Sequence, residues 1–596
     1  MLKKFFLALV LSGLPAFALA FELGIDLDSA DAALQSDLRG VTLTSGLADA
    51  QPTPPSQDIL AAAQADYARI IGLMYDRGFF APVVSILVDG REASSIPLLQ
   101  SPRSVSRIDM RVQTGAPFRF GTAKVAPIAP GTIVPGGFAS GQPAGTAVLR
   151  ETANAGVTGW RNQGHAQAAL SGQSITADHS VNEINVDISL TPGPRLTFGN
   201  LRIRGNQDVR SDRIRDIAGL PTGATFDPAE LDRVATRLRR TGAFSVVSLT
   251  EAEDVGAGDT LDIEAQFVEA KPRRFGFGAE VSSNQGLALS GFWLHRNLLG
   301  GAENLRLSGA VTGIGGETGG EDYELALNFR RPATFNQDTN FFVNAELQDL
   351  DEPNFTSQRL QLEAGIRRFA SEQREYTFAI GYEAADTTDV FGDQTYQILT
   401  FPATAEFDYR DNELDATEGF YLNASLTPFL NVTGTESGVR LFLDGRTYKS
   451  IGPSKRVTLA LRGQIGSLSG PTLANAPADF LFFSGGGGTV RGQDFQSLGI
   501  DLGDEEISGG RSFIGLSGEV RVKTGEKLGL VAFYDAGYVG SEAFPDATSG
   551  DWHSGVGLGV RYDTGIGPVR ADIGIPASGP STQGGIEIYI GLGQAF

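Results

Sequence analysis

The stretch at 482–495, FFSGGGGTVRGQDF, has four consecutive glycines followed by Val-Arg-Gly, and a glycine-rich run is a usual first indication of a phosphate-binding loop. Such a loop lies between a strand and a helix, and it carries either Lys-Ser/Thr or a spaced third glycine. None of these features accompanies the glycine run here. The run therefore predicts no nucleotide site and requires another explanation.

Other residue types that could do chemistry are scattered. The four histidines, His165, His179, His295 and His553, show neither HExxH nor another paired spacing, so each is expected at a turn or on the surface. The Gly-x-Ser-x-Gly elbow of lipases and esterases does not occur. We expect no catalytic residue, no metal site and no cofactor, and hence a protein that is not an enzyme.

The first twenty residues, MLKKFFLALVLSGLPAFALA, place two lysines before a short apolar run that ends in Ala-Leu-Ala. This pattern predicts a signal peptide at 1–20, with a membrane anchor as the less favoured alternative. No later apolar run approaches the ~20 residues of a spanning helix. The chain has no cysteine, and its net charge of −22 argues against nucleic acid as a partner. A secreted soluble protein and a membrane β-barrel remain.

An internal repeat occupies the N-terminal part. Three similar segments, IDMRVQTGAPFRFG, VDISLTPGPRLTFG and IEAQFVEAKPRRFG, begin at Ile108, Val186 and Ile263. Each unit also has a helical segment that ends at a glycine suited to a left-handed C-terminal cap, and these glycines are Gly78, Gly164 and Gly242. The repeat predicts three α+β modules at 21–115, 116–193 and 194–270.

Residues 271–596 break into alternating segments separated by Gly, Asp, Asn and Pro, and we count an even sixteen. In the last of them, Ile590, Leu592 and Phe596 share an apolar face opposite Glu587 and Tyr589. A soluble β-sandwich would also alternate. The charges and glycines on the opposite faces and the final Phe596 favour a transmembrane antiparallel β-barrel of about sixteen strands.

The sequence resembles the BamA/TamA superfamily of outer-membrane assembly factors. Residues 205–246 resemble a polypeptide-transport-associated (POTRA) module. The barrel motifs that carry the resemblance are HRNLLG at 295–300, DYRDN at 408–412 followed by Gly419-Phe420, VRG at 490–492 and FYDAG at 533–537. Three modules before the barrel are more similar to the TamA branch than to BamA, which has five, or to two-partner secretion transporters, which have two.

The resemblance also suggests a role for the glycine run. It implies that 471–510 is a long loop after the eleventh strand that folds back into the lumen, with Arg491 and Gly492 at its tip. Alternation directs Asp535 and Gly537 inward, and family members pair the corresponding arginine and aspartate. The family usually has an aromatic residue directly after Arg-Gly, whereas this chain has Gln493.

For function, the resemblance implies a non-enzymatic factor in the cell outer membrane that helps to insert or secrete client proteins such as autotransporters. Its N-terminal modules would lie in the periplasm. Its partners would be outer-membrane lipid, unfolded outer-membrane clients and a TamB-like periplasm-spanning protein. Ile590, Leu592 and Phe596 would form the C-terminal barrel signal. The alternatives are a two-partner-secretion-like exporter of one dedicated substrate, phospholipid transport to the outer membrane, and a passive porin.

Overall fold

The computed structural model describes residues 21–48, 50, 54–282, 286–316, 319–452, 455–503, 506–525, 527–564, 567–579 and 585–596. The predicted signal peptide at 1–20 lies outside these residues. The described chain divides into two compact units. One extends to Gly199 and includes 222–230 and 251–262; the other contains 200–221, 231–250 and 263–596. None of the helices in the described residues is both long and apolar enough to cross a membrane.

Three small sheets with their helices precede residue 270. The first sheet, in the order β1-β4-β2-β3, goes with three helices: β1 (Glu22–Leu27), α1 (Ala32–Val41), α2 (Leu43–Ala48), α3 (Ser56–Asp76), β2 (Val83–Val88), β3 (Arg91–Glu92) and β4 (Arg107–Gln113). Short 3-10 turns occupy Ala93–Ser95 and Leu98–Gln100. The second sheet has the order β5-β7-β6: β5 (Arg119–Ala126), α4 (Thr146–Arg161), β6 (Ala169–Asp178) and β7 (Glu183–Thr191). The third has the order β8-β10-β9: β8 (Thr197–Arg204), α5 (Ser211–Ala218), α6 (Pro228–Arg240), β9 (Phe244–Glu251) and β10 (Thr260–Glu269).

The repeated sequence segment forms the central strand of each small sheet, namely β4, β7 and β10. In β7 every second residue is buried, and Ile184, Val186, Ile188 and Leu190 form a core cluster with Leu149 of α4. A central strand is paired along both edges and covered on one face, so its apolar alternation is strictly required. This constraint explains why the repeat is visible in these strands.

The predicted helix ends are confirmed. Gly78, Gly164 and Gly242 all adopt positive φ angles, of 89°, 95° and 70°. In the third group, α6 begins at Pro228, and the Asp227 carboxylate accepts a hydrogen bond from the main-chain N–H of Ala229 at 2.9 Å. Local capping chemistry could therefore be predicted from the sequence at these positions.

The remaining strands form a closed antiparallel barrel. They are β11 (Arg273–Ser282), β12 (Gly286–His295), β13 (Asn304–Ile314), β14 (Asp322–Arg331), β15 (Thr339–Glu352), β16 (Phe355–Ser371), β17 (Arg374–Asp389), β18 (Gly392–Thr400), β19 (Ala403–Asp408), β20 (Glu418–Thr433), β21 (Gly438–Ile451), β22 (Val457–Ser469), β25 (Ser512–Lys523), β26 (Leu528–Gly540), β27 (Gly550–Thr564), β28 (Gly567–Ser578) and β29 (Glu587–Leu592). Between β22 and β25 the chain forms 3-10 turns at Leu473–Asn475 and Ala478–Phe480 and the small hairpin of β23 (Ile500–Gly503) and β24 (Glu506–Ser508).

Two of these segments, β18 and β19, make up one interrupted strand. Both pair with β17 on one side and with β20 on the other. The break falls at Phe401 and Pro402, and proline has no N–H to donate to a neighbouring strand. With this pair counted as one, the described residues form sixteen spanning strands, as the sequence predicts.

The outward face of the barrel is apolar, as predicted. In β29, Ile588, Ile590 and Leu592 are exposed on the outside, while Glu587 and Tyr589 are buried on the inside. The same alternation runs through β16, β25 and β27. In a membrane the exposed aliphatic face contacts lipid.

The predicted position of Phe596 is wrong. Instead of sharing the outward face with Ile590 and Leu592, Phe596 is buried in a cluster with Tyr448 and Ala460. The cause is a turn at Gly593, whose φ of 87° ends the strand and directs the last residues into the lumen. A residue with a β-carbon would be strained in this backbone conformation.

Leu362 lies near the middle of β16 on the lipid side and is 42% exposed. Replacing Leu362 by Arg should lower the free energy of unfolding by about 2–4 kcal/mol, because the charge must enter the apolar layer. Equilibrium guanidinium unfolding in phospholipid vesicles measures this change. The matched control is Gln361→Arg, one residue away on the luminal face, where the strand register sets it beside Glu346 and Glu383. Equal losses in both variants would contradict the outward assignment.

Candidate functional site in the barrel lumen

Residues 470–511, here called the luminal loop, connect β22 to β25 and fold onto the inner wall. The loop closes on itself through two main-chain bridges, one between Phe482 and Gly510 and one between Ser484 and Leu498. Their N–H to oxygen distances are 2.8 and 2.9 Å. Four main-chain hydrogen bonds therefore hold the two limbs of the loop side by side.

Aromatic residues attach the loop to the wall. The Phe482 ring lies between the rings of Phe442 and Phe513, with centroid distances of 6.3 and 6.1 Å and interplanar angles of 16°. Phe480 meets Phe429 edge-on at 5.1 Å. These rings belong to one buried cluster, so the loop has its own apolar core inside the lumen.

The glycine run is required by the backbone conformation of the loop. Gly485 and Gly486 adopt positive φ angles of 119° and 86°. A β-carbon on Gly485 would collide with the main-chain oxygen of Asp494. Only glycine accommodates both the conformation and the close approach of the second limb.

The loop tip places Arg491 beside Asp535 of β26. Arg491 Nε and Nη2 donate to the two Asp535 oxygens at 2.7 and 3.0 Å, which is a bidentate contact. Arg491 Nη1 also donates to Glu519 at 2.7 Å and lies 3.5 Å from Asp572. The guanidinium carbon lies 3.7 Å from the centre of the Phe533 ring. One cation thus joins the loop to strands β25, β26 and β28.

The three carboxylates have further cationic partners. Arg521 Nε donates to Glu519 at 2.8 Å, and Arg561 forms a close bidentate contact with Asp572. We call these six residues the luminal ionic network: Arg491, Arg521, Arg561, Asp535, Glu519 and Asp572. Each is at most 6% exposed. Three positive and three negative charges cancel, and such pairing is what makes burial of so many charges tolerable.

Charge also determines the protonation state of the loop tip. Burial disfavours the charged guanidinium, but the hydrogen bonds to Asp535 and the charges of Glu519 and Asp572 outweigh it and raise the pKa of Arg491. Arg491 therefore remains a cation at any physiological pH.

In the described residues no group of three or more His, Asp or Glu side chains could hold a metal ion.

The two predicted glycines allow the loop to lie against the wall. Gly492 has a φ of 89°, and a β-carbon there would lie 2.6 Å from main-chain atoms of Ile575. A β-carbon on Gly537 would strike the hydroxyl of Ser484 and approach Val490 at 3.0 Å. The main-chain N–H of Gly492 also donates to the Tyr589 hydroxyl at 3.1 Å.

Gln493, which departs from the usual family pattern, is also fixed in place. Its amide nitrogen donates to the main-chain oxygens of Ser554 and Ser578 at 2.7 and 3.0 Å. Gln493 is 1% exposed. These hydrogen bonds attach the loop tip to β27 and β28.

The predicted site residues fall into two groups. Arg491, Gly492, Asp535 and Gly537 come together at the loop tip, while Ile590 and Leu592 lie on the outer face. Phe596 connects to the first group instead, because Arg521 Nη2 donates to its main-chain oxygen at 2.9 Å. The functional roles of all these residues stay predictions.

Sequence reasoning missed Glu519 and Asp572 as partners of Arg491. Alternation in β25 directs Glu519 inward, so its orientation could be predicted. Its contact with Arg491 could not, because that contact depends on how deeply the loop enters the lumen.

Comparison with known proteins identifies the family to which this architecture belongs. The family model described as the Omp85 superfamily domain matches residues 297–596. The chain belongs to the Omp85 superfamily. A second model, a POTRA domain described as a surface antigen variable number repeat, matches 196–269, which contain the third sheet. This Omp85 protein is an outer-membrane β-barrel with a POTRA domain in the periplasm.

Curated relatives agree with this assignment. The outer membrane protein assembly factor BamA of Nitratidesulfovibrio vulgaris is 24% identical over 404 residues, covering 64% of this chain and 48% of that protein. BamA of Neisseria meningitidis serogroup B is 23% identical over 433 residues, covering 66% of this chain and 52% of that protein. The chain spans about half the length of these relatives.

Solved structures show the same fold. The crystal structure of BamA from Haemophilus ducreyi lacking POTRA domains 1–3 has a TM-score of 0.60 at 15% identity, covering 79% of this chain and 98% of that one. CdiB from Acinetobacter baumannii has a TM-score of 0.51 at 12% identity, covering 80% of this chain and 90% of that one.

Arg491→Ala should lower the free energy of unfolding by about 3–5 kcal/mol, because three buried carboxylates lose a cationic partner. Asp535→Ala should cost less, since Arg491 retains Glu519 and Asp572. The double variant should resemble Arg491→Ala alone, since the two residues act through one contact. Guanidinium unfolding gives the energies, and hydrogen exchange of the luminal-loop amides shows release of the loop.

The control is Lys455→Ala, which removes the exposed ion pair with Glu418 and should cost at most about 1 kcal/mol. Strictly additive losses for Arg491 and Asp535 would mean that the two side chains do not act as a pair.

Proposed function

We propose that this Omp85 protein is a non-enzymatic assembly factor that helps to insert client proteins into the outer membrane, or to secrete them across it. The observation that carries the proposal is the weak seam between the first and last barrel strands, β11 and β29. The relatives' name, outer membrane protein assembly factor, supports the same activity.

Among the residues that the structure describes, two pairs join the seam, Val281 with Ile590 and Ser282 with Tyr589. On its other side β11 pairs with β12 along its whole length, from Arg273 to Ser282. The short seam follows from the turn at Gly593, because the residues that would continue β29 enter the lumen instead.

Residues 273–280 of β11 consequently have no partner on β29 within the described residues. Their main-chain N–H and C=O groups on that side form an edge to which an incoming strand can pair. A client strand would gain main-chain hydrogen bonds there before its own barrel closes. The edge requires no particular client sequence, as a general assembly factor needs.

The periplasmic part supplies further edges. We infer that all three sheets are POTRA modules, as in the TamA branch, with boundaries at 21–115, 116–193 and 194–270 and the barrel at 271–596. The edge strand β6 is exposed at every residue from Ala169 to Asp178. It is suited to strand addition by an unfolded outer-membrane client or by a TamB-like partner. Outer-membrane lipid surrounds the apolar face.

Two alternative functions differ in the molecule that is transported. A two-partner-secretion-like exporter would move one dedicated substrate through the lumen, and a phospholipid transporter would move lipid. A passive porin is disfavoured by the luminal loop, which packs into the lumen through its aromatic cluster and Arg491. The seam favours insertion, because strand addition at an edge does not require an emptied lumen.

Locking the seam tests the proposal. Cysteines at Val281 and Ile590, which are paired across it, form a disulfide in a chain that otherwise has no cysteine. Oxidation should block client assembly by reconstituted vesicles, because β11 and β29 can no longer move apart to admit client strands between them, and a reductant should restore it. Protease resistance of a newly folded outer-membrane barrel measures assembly.

The matched control places cysteines at Leu459 and Val520, a lipid-facing pair within the closed part of the barrel. Its oxidation should leave assembly unchanged. Undiminished assembly with the seam fully crosslinked would argue for export through the lumen.

A further inference from the structure

A cavity of about 440 Å³ lies inside the second compact unit, where the end of α6 meets the inner wall of the barrel. Four arginines line it: Arg240, Arg306, Arg330 and Arg367. The cavity is separate from the luminal ionic network, and none of its residues contributes to the loop-tip contacts. Four guanidinium groups around one space are conspicuous in a chain with a net charge of −22.

The strand register brings amide side chains into the same wall. Arg330 of β14 pairs with Asn304 of β13, and Arg306 of β13 pairs with Asn328 of β14. Arg367 of β16 pairs with Asn340 of β15. Directly opposed residues on neighbouring strands have their β-carbons about 4.5–5.5 Å apart. Each of these arginines therefore has an amide donor beside it.

Two of the four arginines already have acidic partners. Arg367 forms a salt bridge with Glu375 at 2.9 Å, and Arg240 lies 3.7 Å from Asp338. Asp338 is shared, since Arg237 binds it at 2.8 Å. These carboxylates therefore leave an excess of positive charge.

The other two arginines have no carboxylate within salt-bridge distance among the described residues. The guanidinium of Arg306 lies 4.2 Å from the centre of the Phe292 ring, which fixes it without neutralising it. Arg330 has neither an ion pair nor a side-chain hydrogen bond in the same described set. Arg306 is exposed and Arg330 is half-buried, so both guanidinium groups can reach an anion bound in the cavity.

We propose that this cavity binds a phosphate ester. Guanidinium forks and amide N–H groups match the oxygens of a phosphate, and arginine binds that group in bidentate fashion. Leu294 and Phe342 add an apolar wall that suits the organic part of an ester. The ester is either a phospholipid headgroup or a soluble molecule.

An acidic peptide is the other anion to consider. A peptide carboxylate presents two oxygens, which a single guanidinium satisfies. Two unpaired guanidiniums with neighbouring amides provide more donors than one carboxylate can accept, whereas a phosphate ester presents additional acceptors. The donor set therefore favours phosphate.

Calorimetric titration of the purified full chain with glycerol 3-phosphate and with inorganic phosphate tests the site. We expect saturable binding that the double variant Arg306→Gln/Arg330→Gln weakens by about tenfold or more, because two charge-assisted contacts are lost. Arg374→Gln is the control, since it makes the same type of substitution, with the loss of one charge, at an exposed residue that binds Tyr409 outside the cavity. Heat-modifiable mobility verifies that all variants form barrels.

Native mass spectrometry distinguishes the source of the ester. The protein is incubated with phosphatidylglycerol or with the phosphate-free lipid digalactosyl diacylglycerol. Selective retention of phosphatidylglycerol, lost in the double variant, identifies a lipid headgroup, whereas binding of glycerol 3-phosphate without lipid retention identifies a soluble ester. Both outcomes support the proposal.

Three results would overturn it: no binding of any phosphate compound, equal binding by the double variant, or binding of a polyglutamate peptide that depends on Arg306 and Arg330 while phosphates fail. These readouts do not involve client assembly, so the inference stands or falls separately from the proposed function.

Discussion

The arrangement of the lumen depends on one contact, the bidentate pair of Arg491 and Asp535 at the tip of the luminal loop. An arginine carried so far from its own strands would be costly to bury without anions. Asp535, Glu519 and Asp572 supply them from three strands, and Arg521 and Arg561 balance the remaining charge. Because the six charges sum to zero, the loop can remain inside the barrel.

This network reaches the end of the last strand as well. Arg521 binds Glu519 on one side and the main-chain oxygen of Phe596 on the other. Gly593 provides the turn that makes this possible. The same turn ends β29 early, so that within the described residues 273–280 of β11 have no partner on β29. The loop tip and the barrel seam are thus connected through a short chain of direct contacts.

Much of the fold could be predicted from the sequence. Apolar alternation in β7 and β29, glycine caps at Gly78 and Gly164, and proline at the start of α6 are local signals, and local physics determines their outcome. The Arg491–Asp535 pairing was suggested by resemblance and by the inward direction of Asp535. The inward turn of Phe596 was missed because alternation was continued past Gly593, where a left-handed residue interrupts it.

Contacts that depend on the depth of the luminal loop or on the register of the barrel strands could not be predicted from the sequence. Glu519 points inward by alternation, but its distance to Arg491 depends on how the loop packs around Phe482. The basic cavity likewise requires the register of β13 on β14, since Arg306 and Arg330 are far apart in the chain but share one wall. Alternation determines the face of a strand, whereas the shear of the barrel determines which residues are neighbours.

The two seam pairs, Val281 with Ile590 and Ser282 with Tyr589, lie at the far end of β11, away from Arg273, where the chain enters the barrel from its periplasmic modules. Within the described residues, the seam is therefore paired at the end of β11 that lies away from the periplasmic modules and unpaired towards Arg273. Under the proposed function, a client strand that arrives from the periplasm would meet the unpaired main chain of β11 first and the two seam pairs last. Under the proposed function, entry would be vectorial without an energy source, because the unpaired end of β11 is the end from which pairing would start.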